Sequence, residues 1–236
     1  MASAPVLCID GPSGSGKGTI SRAVARTLGW HFLDSGALYR VLGLAAVQQN
    51  LDLSDEMTLE VLAREAHIRF FEREIDDPRV LLNDVDVTEV IRTEAVAAAA
   101  SRVSVFAKVR AALLQKQRDL CQPPGLVADG RDMGTVVFPQ AGLKIFLEAS
   151  VNERAQRRYK QLLHNGNPAS LPDLLQDLAD RDFRDRTRAA SPLIPADDAI
   201  VIDSTDMSIE SVFSTVLAHA KQRGFVPELE TARASC

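Results

Sequence analysis

Gly11-Pro12-Ser13-Gly14-Ser15-Gly16-Lys17-Gly18-Thr19 puts glycines, hydroxyls and one lysine into a single short loop. Glycines let successive backbone N–H groups turn toward an anion, and a helix opening near Lys17 adds its positive dipole end. The Lys17 ammonium then reaches toward outer phosphates. The chemistry this loop can do is to cradle a nucleoside triphosphate. The loop follows the Walker A spacing through Gly16-Lys17, but Gly18 stands where a Ser or Thr normally holds magnesium, and Thr19 comes one place later.

Further along, Asp129-Gly130-Arg131-Asp132 combines a carboxylate able to orient a magnesium-bound water, a glycine that permits close backbone approach, and an arginine for phosphate. Arg181, Arg184, Asp185 and Arg188 share one helix face, since i, i+3, i+4 and i+7 project together, and three guanidiniums are expected to converge on the one carboxylate. Arg154, Arg157 and Arg158 crowd one side of a second helical segment. A charged helix face standing alone is usually just solvated. Beside a phosphate loop it acquires another use, because phosphoryl transfer asks for positioning and for cations around the migrating charge, and a guanidinium grips phosphate oxygens through paired donors. The four histidines form no HxxxH or Ser/His/Asp arrangement that would supply a base. An acceptor that is already a phosphate anion needs none.

These residues must be held by regular elements. Val6–Asp10 is an apolar strand emptying into the loop, Ile20–Leu28 carries helical spacing stopped by Gly29, and Trp30–Leu33 reads as a second strand ending at Asp34-Ser35-Gly36. Ser35 is placed to cap a helix over about 37–49. Leu126–Ala128, Leu143–Leu147 and Ala199–Ile202 are further short apolar runs. Strands separated by helices predict an α/β parallel sheet flanked by helices, with ligands beyond the carboxyl ends of its strands. Between about Ala66 and Val90 the texture changes: 67–72 and 79–87 resemble antiparallel strands around an Asp76-Asp77-Pro78 turn, an inserted subdomain. Residues 93–120 are helix-rich, and Pro123-Pro124-Gly125 interrupts them.

At 236 residues and 46% hydrophobic content, the chain has ample material for a core. A net charge of −5 argues against a surface that coats nucleic acid. Cys8, Cys121 and Cys236 have neither CxxC spacing nor a His cluster, so reduced thiols are expected rather than disulfides or zinc. With no secretory leader pattern and no apolar run near the ~18 residues of a membrane span, a cytoplasmic protein without membrane or nucleic-acid partners is expected.

Taken together, the motifs resemble those of the bacterial cytidylate kinases over about residues 4–222. The resemblance is carried by Ile9–Thr19, Leu33-Asp-Ser-Gly-Ala-Leu-Tyr-Arg40, Ile91-Arg-Thr93, Ala128-Asp-Gly-Arg-Asp-Met-Gly-Thr-Val-Val-Phe-Pro139, Lys144–Leu147 and Arg181-Asp182 through Arg188. The Gly-Lys-Gly-Thr ending of the loop agrees with it. The resemblance implies a P-loop nucleoside-monophosphate kinase fold with core 1–62, 100–150 and 190–225, a monophosphate-binding insert at about 63–99 containing antiparallel strands, and a short lid at about 151–189; the tail at 226–236, which has no clear periodicity, is expected to be flexible. It implies transfer from ATP to CMP or dCMP, with Mg2+ held through nucleotide phosphates and water and not by a protein metal site, in a monomeric protein of pyrimidine nucleotide metabolism. By position, Gly11 through Thr19 and Arg154 take the ATP, and Lys17, Arg131 and Arg158 form the catalytic group. Arg40 and Arg131 hold the acceptor phosphate. Ser101, Arg110 and Asp132 read cytosine, Ser35, Arg181 and Asp185 contact the ribose, and Arg188 lies close to the nucleotide.

The rival readings are a P-loop kinase for AMP, UMP or shikimate and a nucleotide switch, the latter opposed by the lack of an NKxD segment. The spacing adds one geometric demand. Ser101 and Arg110 lie nine residues apart and so on opposite faces of an unbroken helix, so a bend is expected within Val103–Phe106.

Overall fold

The computed structural model describes residues 4–71, 79–164, 166 and 168–225. Its core is a five-stranded, all-parallel sheet in the order β2-β6-β1-β7-β8, made of β1 (Val6–Asp10), β2 (His31–Asp34), β6 (Leu126–Gly130), β7 (Leu143–Glu148) and β8 (Ile200–Asp203). β1 is central and buried throughout, so it reads as a continuous apolar run, as a strand covered on both faces must. Its side chains alternate. Leu7 and Ile9 face α1 (Lys17–Leu28) and α8 (Ile209–Gln222), whereas Val6 and Cys8 face the opposite layer with Leu33, Leu38 and Met133.

The second layer begins with α2 (Ser35–Gln48), which lies against α4 (Glu94–Val103). Gly43 makes that approach possible: a Cβ there would stand 2.8 Å from the Ala100 nitrogen. The helix-rich stretch is indeed broken. α4 ends at Val103, and α5 (Ala107–Arg118) starts after an extended Phe106, so the bend falls within the expected residues. α3 (Glu56–Glu65) packs on α5.

The insert's strands form a separate antiparallel sheet, β3 (Ile68–Phe71), β4 (Arg79–Leu82) and β5 (Val85–Asp86), which packs on α2 through Val80, Leu82, Val41 and Leu44. One expectation is corrected here. Residues 79–87 are two strands and not one, because Asn83 and Asp84 take left-handed φ values of 48° and 68°, the conformation of a tight hairpin turn that these two residue types tolerate. The expected Asp76-Asp77-Pro78 turn and the tail at 226–236 lie outside the described residues.

α6 (Val151–His164) and α7 (Leu171–Thr187) pair through Ala155, Leu174 and Leu178 to form the remaining unit. The described chain ends with Phe225 tilted against Trp30, ring centroids 5.0 Å apart. Cys8 is buried, which pushes its thiol well above the ordinary range, and Cys121 is partly buried; both are free, while Cys236 lies outside the described residues. Among the described residues no helix is long and apolar enough to cross a membrane.

Candidate active site

The phosphate loop leaves the carboxyl end of the central strand, where φ values of 79° at Gly14 and 89° at Gly16 require glycine. Lys17 opens α1, and its ammonium donates to the Pro12 carbonyl at 3.0 Å. Burial, and after it Arg131, lowers the Lys17 pKa, while burial raises that of Asp129 opposite. Gly18 explains the departure from the usual loop ending: a Cβ at that position would meet Asp129 Oδ2 at 3.1 Å. The glycine lets α1 lie close to the carboxylate.

Asp34, not Ser35, caps α2, its carboxylate accepting from the Ala37 N–H at 3.0 Å. The preference is physical, since the cap residue keeps extended dihedrals and Asp34 is the last residue of β2. Ser35 is thereby freed to line the cavity beside it.

That cavity, about 160 Å³, is the meeting point of the scattered residues: Lys17, Ser35, Arg40, Arg110, Asp129, Arg131, Asp132, Arg181, Asp185 and Arg188 all line it. They come from α1, α2, α5, β6 with its following turn, and α7. One buried and one partly buried ion pair organise it. Arg110 donates to Asp132 at 2.6 Å and to the Ser104 carbonyl at 3.0 Å, its guanidinium lying over the Tyr39 ring at 5.3 Å. Arg131 donates to Asp185 at 2.9 Å, and Arg188 stands 3.7 Å from Asp185 and 4.0 Å from Asp132. Burial works against ionisation of Asp185, yet Arg131, Arg181 and Arg188 together hold its carboxyl below the usual carboxylate range. Burial and the neighbouring Arg131 lower Arg181 to about 10.

Three other placements differ from simple expectation. Arg184 does not join the cluster around Asp185; its Nε donates to Ser101 Oγ at 3.2 Å, and Arg131 from β6's following turn takes the place expected for it. Ser101 is buried behind the cavity wall, which Ala100 and Ser104 form instead. The three arginines of α6 diverge. Arg154 is buried, donating to the Ser13 carbonyl at 2.9 Å and pairing with Asp182; Arg157 donates to the Ser204 carbonyl at 2.7 Å; Arg158 pairs with Glu94 at the start of α4, Nε to carboxylate 3.0 Å. Arg40 donates to the Ile91 carbonyl at 2.9 Å, which gives the Ile91-Arg92-Thr93 motif a positioning part.

A second cleft of about 770 Å³ lies on the other side of Lys17, lined by the loop, Arg157, Arg158, Ser204, Met207 and Ser208. Ser204, Met207 and Ser208 follow β8 and are absent from the residues singled out in the sequence, because nothing in so short a polar stretch announces a ligand. Its signal is positional: it follows a parallel strand's carboxyl end.

A family model described as cytidylate kinase matches residues 7–222. The chain belongs to the cytidylate kinase family. Its fold is accordingly the P-loop nucleoside-monophosphate kinase type, a parallel core sheet with a separate antiparallel sheet. The cytidylate kinase of Pseudomonas paraeruginosa is 54% identical over 227 residues, covering 95% of this chain and 98% of the relative. That of Aeromonas hydrophila is 54% identical over 220 residues, covering 93% and 95%. A solved gluconokinase from Sinorhizobium meliloti 1021 covers 93% of both chains at 15% identity and a TM-score of 0.45, too loose a match to equate individual residues.

Proposed function

We propose that this chain transfers the γ-phosphoryl group of ATP to CMP and dCMP, giving ADP and CDP or dCDP. The observation that carries the reading is a set of orphaned polar atoms. Arg110 Nε, Asp129 Oδ1, Arg181 Nε and Arg188 Nη2 are buried without a hydrogen-bond partner, and all four side chains line the smaller cavity. Leaving such atoms unsatisfied is costly, so a ligand rich in acceptors and negative charge is what completes the three guanidinium donors, while Asp129 calls for a donor such as a metal-bound water. Family membership names that ligand class: a cytidine monophosphate.

Cytosine offers acceptors at O2 and N3 and a donor amine, which suits the Arg110–Asp132 pair, with Ser101 backing it. Arg40 and Arg131 take the acceptor phosphate, Arg188 lies close to it, and Ser35, Arg181 and Asp185 take the ribose. The loop from Gly11 to Thr19 takes the donor phosphates, Lys17 bridges toward the acceptor, and Arg158 swings from Glu94 onto the migrating group. Arg154 serves the donor indirectly, by holding the loop at Ser13. Since little covalent work falls to the protein, positioning and charge stabilisation supply the rate.

The residues present fit a magnesium ion. Asp129 Oδ1 is an orphaned buried acceptor beside the loop, and among the described residues no group of three or more His, Cys, Asp or Glu side chains gathers that could hold a metal unaided. Asp129 would hold the ion through a water, with phosphate oxygens completing its shell; when bound it neutralises charge on the phosphates. The reading includes a monomer working in the cytoplasm, as the sequence led one to expect.

The test is ADP release followed in a coupled assay with CMP, dCMP, UMP and AMP as acceptors. The expected result is release that depends on CMP or dCMP and is slow with ATP alone. UMP turnover equal to or above that of CMP overturns the base assignment, and acceptor-independent hydrolysis overturns the kinase reading.

A further inference from the structure

Asp10 is the last residue of β1, one step before the phosphate loop, and it is 5% exposed. Burying a carboxylate there is costly, and burial raises its pKa to about 6. It is not spent on the loop's lysine, whose ammonium donates to Pro12. Instead one oxygen accepts from the Met133 N–H at 2.9 Å and the other from the Gly134 N–H at 2.8 Å. These N–H groups open a short π-helical segment, Met133–Val137, and segment openings have no internal acceptor for such donors. Asp132 immediately precedes them with an irregular backbone, φ −145° and ψ 24°, and its side chain meets Arg110.

We propose that Asp10 is a positioning residue for base selection: it clamps the turn behind Asp132, so that the strand feeding the donor loop also sets the placement of the carboxylate that meets the base. The inference rests on the reading of Asp132 as a cytosine contact. Two adjacent N–H donors demand two acceptor oxygens, which a carboxylate has and an amide does not. Asp10→Asn presents an NH2 to one of the donors and forces the turn apart. Asp10→Ser leaves one oxygen, set one bond further back, whose O–H can rotate away from the two donors. Register supports the link as well: Asp10 pairs with Gly130 across the β1–β6 ladder, so the same residue borders the 130–134 stretch at both its ends.

The experiment measures kcat/KM for CMP and UMP, KM for ATP, and thermal unfolding, in wild type, D10N, D10S and D132A. The expected result is a CMP-to-UMP preference reduced on the order of tenfold in D10N and by less in D10S, with KM for CMP raised and KM for ATP within about twofold. A purely structural Asp10 would lower the melting temperature while leaving the CMP-to-UMP ratio at its wild-type value, and that result overturns the proposal. So does failure of both D10N and D10S to fold, which would make Asp10 a folding residue. The two levels separate cleanly. If D132A keeps its preference for CMP, the base assignment is wrong; if D132A loses it and D10N does not, the positioning role is wrong.

Discussion

The two ends of the proposed reaction cleft are built on different principles. The donor end is a contiguous loop in which backbone N–H groups, two left-handed glycines and one lysine face an open cleft of about 770 Å³. The acceptor end is a small cavity of about 160 Å³ walled by charged side chains from five separate places in the chain. Backbone donors read charge and are indifferent to the base. Paired side chains such as Arg110–Asp132 read shape and hydrogen-bond pattern, and a site built to hydrogen-bond a substrate discriminates far better than an apolar pocket. In the proposed function, specificity therefore belongs to the acceptor end and transfer to the boundary between the two, where Lys17, Arg131 and Asp129 act on one another's charge.

Removing either boundary cation is the most severe challenge to that division. Lys17→Ala and Arg131→Ala are each expected to lower kcat on the order of a thousandfold, with far-ultraviolet circular dichroism unchanged. A rate within tenfold of wild type in both variants would place the transfer machinery elsewhere. Arg131→Ala carries an additional signature. It takes from Asp185 its hydrogen-bonding guanidinium, leaving Arg188 at 3.7 Å, so KM for CMP should rise more than in the lysine variant.

Asp132→Ala comes next, and separates the ends instead of disabling both. It leaves Arg110 buried without its carboxylate, a loss worth roughly 1–3 kcal/mol, or about fivefold to 150-fold in preference for CMP over UMP. KM for ATP should change little. Equal effects on both nucleotides, seen in initial-rate kinetics, would mean that the two ends are not independent.

How much of this was legible beforehand follows the same division. The donor loop could be read in one pass because strand, glycines, lysine and helix are adjacent in the chain. The base-reading pair of the acceptor end was legible only through resemblance, since Arg110 and Asp132 lie 22 positions apart and no local pattern announces a pair formed by folding. The bend between α4 and α5 was an exception: it was expected so that Ser101 and Arg110 could share one cavity, and it falls where expected, although only Arg110 lines the cavity and Ser101 lies behind its wall. The errors were local competitions. Asp34 took the cap expected of Ser35 because the strand ends at Asp34, and Asn83-Asp84 cut a strand in two because both side chains tolerate left-handed backbone. Arg184 shares its helix face with Asp185 but meets Ser101, because Arg131 from another element reaches the carboxylate first. Helical spacing tells which residues share a face, not which partner each will find.

The pH dependence sharpens the boundary. In the free protein, burial and Arg131 lower the Lys17 pKa, so the ammonium is lost at lower pH than for an ordinary lysine. Bound phosphates favour the charged form and push it back up. The alkaline limb of kcat/KM for ATP, which reports the free enzyme, should accordingly lie at lower pH than the alkaline limb of kcat. Coincident limbs would show that Lys17 does not titrate between the two states. The sign for stability is the same: with the folded pKa below the unfolded one, the unfolded chain binds the extra proton, and this group's contribution to stability grows as pH rises through that window.

The smallest effect concerns Glu94, which joins the two ends by holding Arg158 of α6 against the start of α4. The carboxylate is 56% exposed and Arg158 partly so, which makes the pair worth about 0–1 kcal/mol. In the proposed cycle Arg158 must leave Glu94 to reach the migrating phosphoryl group, so the pair competes with the donor instead of helping it. Glu94→Gln is therefore expected to lower KM for ATP by at most about fivefold, an advantage that shrinks as salt is added, because screening weakens the wild-type pair. A rise in KM for ATP would reverse the assignment. Glu94 would then be presenting Arg158 to the nucleotide, and the donor end would depend on a side chain of the acceptor side.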